Sequence, residues 1–134
     1  MKAIQITRPL ATHLLTLAQK SPDQEICGLV GAIDDQPSTV YPVANTATTP
    51  STNFEMDAQG QIDALKEMRN KNEKLFAIYH SHPRSPAEPS ETDLANIGYP
   101  DVYQLIISLN TAGVLEMRAY QLKTEGVCEV PLLV

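Results

Sequence analysis

A proline-rich segment constrains the fold of this chain more than any other part of its sequence. Pro83, Pro86 and Pro89 fall within seven residues and follow the apolar segment Leu75–His80. Proline fixes its backbone φ angle and lacks an N–H donor, so this stretch can lie neither inside a helix nor inside a sheet. We therefore predict a buried strand that ends in a stiff loop, with a short helix beginning where the loop ends.

The other segments follow the periodicities of strands and helices. The predicted strands cover residues 2–7, 25–33, 38–45, 75–80, 102–109, 114–122 and 127–133, and the predicted helices cover residues 9–20, 57–70 and 90–97. In the second helix we expect Ile62, Leu65 and Met68 to face inward. Pro42 favours an edge or a bulge for its strand. The polar residues 46–53 predict a surface loop or a flap that faces a substrate.

The order of these elements predicts the fold class. Helices alternate with strands along most of the chain, and the last three strands follow one another as a meander. The order βαββαβαβββ is typical of an α+β (α/β layered) fold, in which helices pack on a mixed β-sheet. The 134 residues are enough for one hydrophobic core and leave no room for a second, so we expect residues 1–134 to form a single domain.

Composition narrows the classes of partner. Sixteen acidic and ten basic side chains give a formal charge of −6, which argues against nucleic acid or an anionic membrane surface as the partner. The sequence has no apolar run of the ~20 residues that span a bilayer and no pattern of a signal peptide, so we expect a cytoplasmic protein. Cys27 and Cys128 are expected to be reduced, partly buried thiols.

Two of the three histidines lie two residues apart at the end of a predicted strand. Residues at this spacing point to the same face, with Cα atoms ~6.5 Å apart, so His80 and His82 can present two imidazoles to one point. The predicted helix after the proline loop returns Asp93 to the strand end as a suitable third ligand. Two imidazoles and one carboxylate leave tetrahedral zinc one open position for water, as in catalytic sites.

Each of these signals also has a purely structural interpretation. Ser90 and Asp93 fit a helix-capping pattern, in which the serine side chain bonds the backbone N–H three residues later. A His-x-His pair can simply form the polar face of a strand. The conjunction of both signals within fourteen residues, joined by a stiff loop, favours a metal site. Ser90 can serve both roles, capping the helix while its hydroxyl faces the site.

A hydrolytic metal site also needs a general base. The candidates are Glu25, Glu88 and Glu91. Glu88 and Glu91 fall on the loop and on the first helical turn, where solvated acids are common. Glu25 begins the apolar segment EICGLVGAI, where a charge is unexpected without a partner or a purpose. We therefore favour Glu25.

The pattern from His80 to Asp93 resembles the H-x-H-x7-S-x-x-D signature of the JAMM metalloproteases, also called MPN-plus or Mov34/PAD-1 domains. The segment EICGLVGA resembles the one that carries their catalytic glutamate, and FEMD, YHSHP and YQLIISL are similar to the prokaryotic branch. The resemblance covers about residues 25–109. It implies a cytidine-deaminase-like JAMM/MPN fold and a zinc ion (Zn2+) held by His80, His82 and Asp93.

The resemblance also implies an activity. A water on the zinc would be deprotonated by Glu25 and attack a peptide or isopeptide carbonyl, Ser90 would stabilise the oxyanion, and Glu25 would protonate the departing amine. Small bacterial members are similar to enzymes that process ubiquitin-like sulfur-carrier proteins ending in Gly-Gly. Such a carrier tail is therefore the expected substrate.

Two other functions remain open at this stage. One is a non-catalytic MPN scaffold, although such domains lack one or more zinc ligands that this chain retains. The other is a zinc hydrolase with another substrate, such as a cell-wall peptide or, in a RadC-like protein, a link to DNA. The acidic charge weighs against DNA.

Overall fold

The computed structural model describes residues 3–95, 99, 101–110, 115–123 and 125–134. Along the chain the elements are β1 (Ile4–Gln5), α1 (Arg8–Gln19), β2 (Cys27–Ile33), β3 (Gln36–Val43), α2 (Ala58–Asn70), β4 (Lys74–His82), α3 (Glu91–Ala95), β5 (Tyr103–Ser108), β6 (Glu116–Lys123), β7 (Gly126–Val130) and β8 (Leu132–Leu133). The end of the predicted helix 90–97 and the first residue of the predicted strand 114–122 lie outside the described residues.

The described strands form a mixed sheet, as predicted. Six strands are ordered β3-β2-β4-β5-β6-β7, and β1 and β8 form a separate parallel pair. Within the six-stranded sheet β4 and β5 run parallel, whereas the other neighbouring strands are antiparallel. The strand β3 lies at one edge, which agrees with the expectation from Pro42.

The two long helices cover opposite faces of the sheet. Successive side chains of a strand alternate between faces, so Val30 and Tyr79 pack with α1 while Leu29 and Ile78 pack with α2. The helix α1 begins after Thr7, whose hydroxyl accepts a hydrogen bond from the Leu10 N–H. This two-sided cover explains why β2 and β4 are apolar along most of their length.

The prediction that Ile62 faces inward is wrong. Its side chain is 47% exposed, whereas Ala64 and Met68 are buried and Leu65 packs at the border of the core. Ile62 lies about 200° around the helix from Ala64, so a helix that buries Ala64 and Met68 turns Ile62 towards solvent. The small alanine defines the buried face of this helix.

Three predicted strand boundaries are also corrected. The strand β4 continues to His82 because its pairing with β5 continues through His82 and Ser108. The strand β2 begins at Cys27, so Glu25 precedes it. The predicted last strand is divided at Pro131, which cannot donate a backbone hydrogen bond, and β8 pairs with β1.

The residues between β3 and α2 form a mostly exposed loop, which confirms a surface loop at residues 46–53. Cys27 is buried, Cys128 is half-buried, and no disulfide joins them. Within the described ranges, no helix is long and apolar enough to cross a bilayer.

Candidate metal centre and active site

Side chains from β4 and α3 converge on one buried point. The Nε2 atoms of His80 and His82 are 3.1 Å apart, and the Asp93 Oδ2 atom lies 3.1 Å from the first and 3.2 Å from the second. The side chains of His80, His82 and Asp93 are only 1%, 2% and 7% exposed. The structure thus brings together the three predicted ligands.

This triangle has the dimensions of a metal site. Nitrogen and oxygen ligands about 2.05 Å from a tetrahedral zinc ion lie about 3.3 Å from one another. The Nδ1 atom of His82 lies 2.8 Å from the Pro86 carbonyl oxygen, which can only accept a hydrogen bond. In the neutral ring, Nδ1 therefore carries the proton, and the lone pair of Nε2 points towards His80 and Asp93. The donor set and its spacing fit zinc.

Asp93 carries a negative charge in the centre. Burial alone would raise the pKa of Asp93, but the contacts of its carboxylate with the two histidine rings and a hydrogen bond from the Ser90 N–H outweigh burial and hold the pKa well below its usual range. Complete burial lowers the pKa of His80. An ionised carboxylate beside a neutral imidazole is the form in which both groups can bind a cation.

Hydrogen bonds at the start of α3 fix the orientation of the Asp93 side chain. The Ser90 Oγ atom accepts a hydrogen bond from the Asp93 N–H at 3.0 Å, and the Ser90 N–H donates to Asp93 Oδ2 at 2.9 Å. These reciprocal bonds form a capping box and confirm the predicted serine cap. The Ser90 hydroxyl hydrogen remains available to a second acceptor.

Glu25 is the acid that lies beside this centre. Glu25, His80 and His82 form a group of potential ligands in which one ligand atom from each residue lies within 4.8 Å of the other two. Glu25 is 5% exposed, its Oε1 atom has no hydrogen-bond partner among the described residues, and burial raises its pKa to about 7. Glu88 and Glu91 are exposed. This environment suits a base that exchanges protons near neutral pH.

Two contacts of the centre were not predicted from the sequence. The Phe54 ring stacks on the His80 ring, with centroids 4.4 Å apart. The buried Ser81 holds the segment before β2, because its Oγ accepts a hydrogen bond from the Ile26 N–H at 2.9 Å and its own N–H donates to the Ile26 carbonyl at 3.1 Å. Strand alternation points Ser81 away from the histidines, so its buried polar side chain could have suggested such a partner.

The proline loop is fixed to the sheet on both sides of Pro86. The Ser108 hydroxyl donates to the Ser85 carbonyl at 2.7 Å, and the Tyr120 hydroxyl donates to the Ala87 carbonyl at 2.5 Å. The Pro86 carbonyl between them accepts the bond from His82. Three successive carbonyl groups are therefore used to hold the loop and one histidine ring.

A cavity of about 480 Å³ opens beside the centre. His80 and Asp93 form part of its wall. The other lining residues come from α2 and the loop before it, from the strands β4, β5 and β6, and from the segments between these strands. They are Phe54, Glu55, Met56, Gln61, Ile78, Thr92, Tyr99, Gln104 and Leu122. The cavity leads directly to the potential metal ligands.

Comparisons with known proteins identify a family and several similar chains. The family described as prokaryotic homologs of the JAB domain matches residues 7–123. The CysO-cysteine peptidase of Mycobacterium tuberculosis is 28% identical over 129 residues, which are 95% of this chain and 88% of that protein. The desampylase of Haloferax volcanii is 29% identical over 101 residues, which are 74% of this chain and 73% of that protein.

Solved structures show the same fold. The solution structure of protein DSY2949 from Desulfitobacterium hafniense has a TM-score of 0.86 and 31% identity, covering 96% of this chain and 90% of that chain. A structure described as JAMM, a metalloprotease-like zinc site in the proteasome and signalosome, has a TM-score of 0.61 and 18% identity over 99% of this chain and 100% of that chain. The second likeness concerns the fold alone.

Proposed function

Because this chain belongs to the prokaryotic JAB branch of the JAMM/MPN family and is a hydrolase of the JAMM type, we propose that it is a zinc-dependent peptidase of ubiquitin-like proteins. In this proposal it hydrolyses the peptide or isopeptide bond that follows the C-terminal Gly-Gly of a ubiquitin-like sulfur carrier. Residues 1–134 act as one domain in the cytoplasm, and the substrate is a protein tail rather than nucleic acid or membrane.

The observation that carries the proposal is the buried triangle of His80, His82 and Asp93 with Glu25 beside it. Zinc held by the three triangle residues would supply a Lewis acid that lowers the pKa of water to about 7 and polarises a carbonyl group. Glu25, which is buried beside the two histidines, is then in place to bind and release protons.

Three residues of the chain have separate roles in the proposed reaction. Glu25 takes the proton from the attacking water and delivers it to the departing amine, which requires a carboxylate that binds and releases protons near neutral pH. The Ser90 hydroxyl donates a hydrogen bond to the carbonyl oxygen as negative charge develops on it. The Pro86 carbonyl keeps the His82 ring in a fixed orientation.

The substrate class is supported by the names of two relatives. One is a peptidase of CysO-cysteine and the other a desampylase, and each matches more than two thirds of this chain. In our proposal the carrier tail enters through the cavity lined by His80 and Asp93, because this cavity leads to the reacting atoms. The acidic charge of the chain is consistent with a protein substrate.

Zinc analysis combined with a cleavage assay tests the proposal. The purified chain should hold about one zinc ion per molecule and should release a short extension from a carrier ending in Gly-Gly, as read by intact mass. His82→Ala should lose both properties. His13→Ala is the matched control, since His13 is exposed on α1 and should keep both.

The contrary outcomes are specific. Full zinc content in His82→Ala would refute the site. A zinc-loaded chain that cleaves cell-wall peptides but no carrier would support the hydrolase with another substrate, and a folded chain that cleaves neither would support the scaffold.

A further inference from the structure

We infer that Asn45 is a positioning residue that holds Glu25 in place beside the metal centre. The inference rests on the proposed role of Glu25 as the general base. It assigns a task to a side chain that lies outside the JAMM signature and outside the lining of the cavity that His80 and Asp93 share.

Glu25 needs support because the sheet does not hold it. The strand β2 begins two residues later, at Cys27, so the Glu25 backbone has no place in the ladder. Its side chain is no better fixed, since the buried Oε1 atom has no hydrogen-bond partner in the described part of the chain. The position of this carboxylate therefore depends on whatever holds the backbone of Glu25 and its neighbour.

The backbone of Glu25 is held from both sides by the surface loop and Asn45. The Glu25 N–H donates to the Pro50 carbonyl at 2.7 Å, and the Glu25 carbonyl accepts from Asn45 Nδ2 at 3.0 Å. The next residue, Ile26, is bound through both its N–H and its carbonyl by Ser81. Ser81 thus ties the segment to the histidine strand, and Asn45 ties it to the loop.

The Asn45 amide uses its full hydrogen-bonding capacity in this arrangement. Besides the Glu25 carbonyl, Nδ2 binds the Asn53 carbonyl at 3.0 Å, and Oδ1 accepts from the N–H groups of Ala47 and Glu55 at 3.0 Å each. The same side chain therefore closes the loop that carries Pro50 and touches Glu25 directly. A side chain with only donors or only acceptors could not make all four bonds.

Two substitutions separate these tasks. Asn45→Ala removes all four bonds. Asn45→Asp keeps the two bonds that the loop donates to Oδ1, but it places a carboxylate oxygen against the Glu25 and Asn53 carbonyls. Both variants remove the hydrogen bond from Asn45 to the Glu25 carbonyl. Asn45→Asp also keeps the two hydrogen bonds that hold the loop, so it can be tested even if Asn45→Ala does not fold.

The expected result is a loss of kcat with little change in KM. Misplacing a catalytic group or removing a supporting contact typically costs about 10–100-fold, so we expect this fall for both variants, with full zinc content. Asn53→Ala is the matched control. It removes an exposed bond to Thr49 Oγ1 in the same loop and keeps the Asn53 carbonyl, so it should retain kcat.

A double-mutant cycle identifies the residue through which Asn45 acts. If it acts through Glu25, Asn45→Ala should cause little further loss of kcat in the Glu25→Gln background. Amide hydrogen exchange gives a readout independent of activity: Asn45→Ala should accelerate exchange of the Glu25 N–H but not of the Ser81 N–H.

Wild-type kcat in both Asn45 variants, an equal loss in Asn53→Ala, or the full additional loss in the Glu25→Gln background would overturn the inference. Full turnover of Glu25→Gln alone would instead refute the proposed base. In that case the exchange of the Glu25 N–H still decides whether Asn45 holds this residue, since unchanged exchange contradicts the inference.

Discussion

At the scale of single residues, burial separates Glu25 from the other two acids considered for proton transfer. Glu25 is almost completely buried beside the histidines, and burial raises its pKa to about 7. Glu88 and Glu91 are exposed, where water and salt screen their charge. The three acids therefore differ in environment although they are chemically equivalent in the sequence.

Glu25→Gln should bind about one zinc ion per chain and lose turnover by roughly 10²–10⁴-fold, because it removes the general base but none of the three proposed ligands. Glu91→Gln, an equally conservative change on an exposed acid, should leave turnover nearly unchanged. Zinc analysis and single-turnover cleavage of the extended carrier measure both effects. Loss of zinc from Glu25→Gln would make Glu25 a ligand.

Ser90 combines a structural and a proposed catalytic task on one oxygen atom. Ser90→Ala removes a helix cap, worth ~1 kcal/mol of unfolding free energy, and in our proposal also an oxyanion donor, worth ~10²–10³-fold in turnover. Thr7→Ala removes only a cap, that of α1. Both variants should lower the melting temperature, and only Ser90→Ala should lower the single-turnover rate. Equal single-turnover rates in the two variants would mean that Ser90 only caps its helix and has no role in catalysis.

At the scale of elements, a second buried acid fixes the edge strand β3. Glu73 lies at the start of β4 and accepts hydrogen bonds from the hydroxyl groups of Ser38, Thr39 and Tyr41 on β3. Gly31 on the intervening strand leaves room for this carboxylate, since a Cβ atom there would lie 3.1 Å from it. Glu73 therefore connects β3 to β4 across β2.

These hydrogen bonds make the contribution of Glu73 depend on pH. Burial alone would raise the pKa of Glu73, but the three hydroxyl donors outweigh it and lower the pKa below the usual 4.5. The folded state therefore binds this proton less readily than the unfolded state does. The stabilisation is complete above pH 4.5 and is lost as the pH falls through the folded-state pKa.

Glu73→Gln should lower the free energy of unfolding at pH 7 by about 1–3 kcal/mol, since it replaces bonds to a charged acceptor. The difference from the wild type should shrink below pH 4.5. Urea unfolding in EDTA measures it without a contribution from metal release. Glu67→Gln, on an exposed acid paired with Lys71, should show little difference at any pH. If the difference in unfolding free energy between the wild type and Glu73→Gln does not change with pH, the proposed role of the Glu73 charge is wrong.

Local sequence patterns predicted most elements because their determinants are local. The apolar segments of β2 and β4, the proline loop and the capping serine of α3 depend on residues within a few positions of one another. On α2 only the inward position of Ile62 was predicted wrongly, because large apolar residues were considered and the buried Ala64 was not. In that helix the space available next to the sheet decides which residue is buried.

The potential ligands of the candidate site could be predicted from the sequence, whereas the residues that hold those ligands and Glu25 in place could not. His80, His82 and Asp93 are recognised by spacing, whereas Ser108 and Tyr120 reach the proline loop from 23 and 33 residues away. Asn45 and Pro50 likewise meet Glu25 only in the folded chain. Such contacts carry no spacing rule, so one sequence cannot reveal them.

At the scale of the whole molecule, the reacting groups lie deep in the protein. The side chains of the proposed ligands and of Glu25 are each less than a tenth exposed, and the cavity between α2 and the sheet reaches two of the ligands, His80 and Asp93. A folded carrier protein is too large to enter. Only an extended tail can bring its scissile bond to the centre, and the residues next to that bond must fit between buried walls.

Glycine is the residue that meets this demand most easily, since it has no side chain and permits close approach of a backbone. In our proposal the tail is fixed by pairing with the edge strand β3 or with the adjoining loop, because an extended chain is readily held by a strand edge. The structure leaves the outer side of β3 without a neighbouring strand among the described residues. The end of β3 also lies near Glu25, because Asn45, two residues after the strand, donates a hydrogen bond to the Glu25 carbonyl.

We therefore expect that replacing either glycine of the carrier tail by leucine abolishes cleavage, whereas replacing the residue after the scissile bond is tolerated. The reason is steric, because a side chain on the acyl side of the scissile bond would have to pass the buried histidines. Intact mass after incubation with the zinc-loaded chain measures each tail, and an alanine at each glycine position tests whether size alone decides. Efficient cleavage of a tail that lacks both glycines would identify a peptidase of broader specificity.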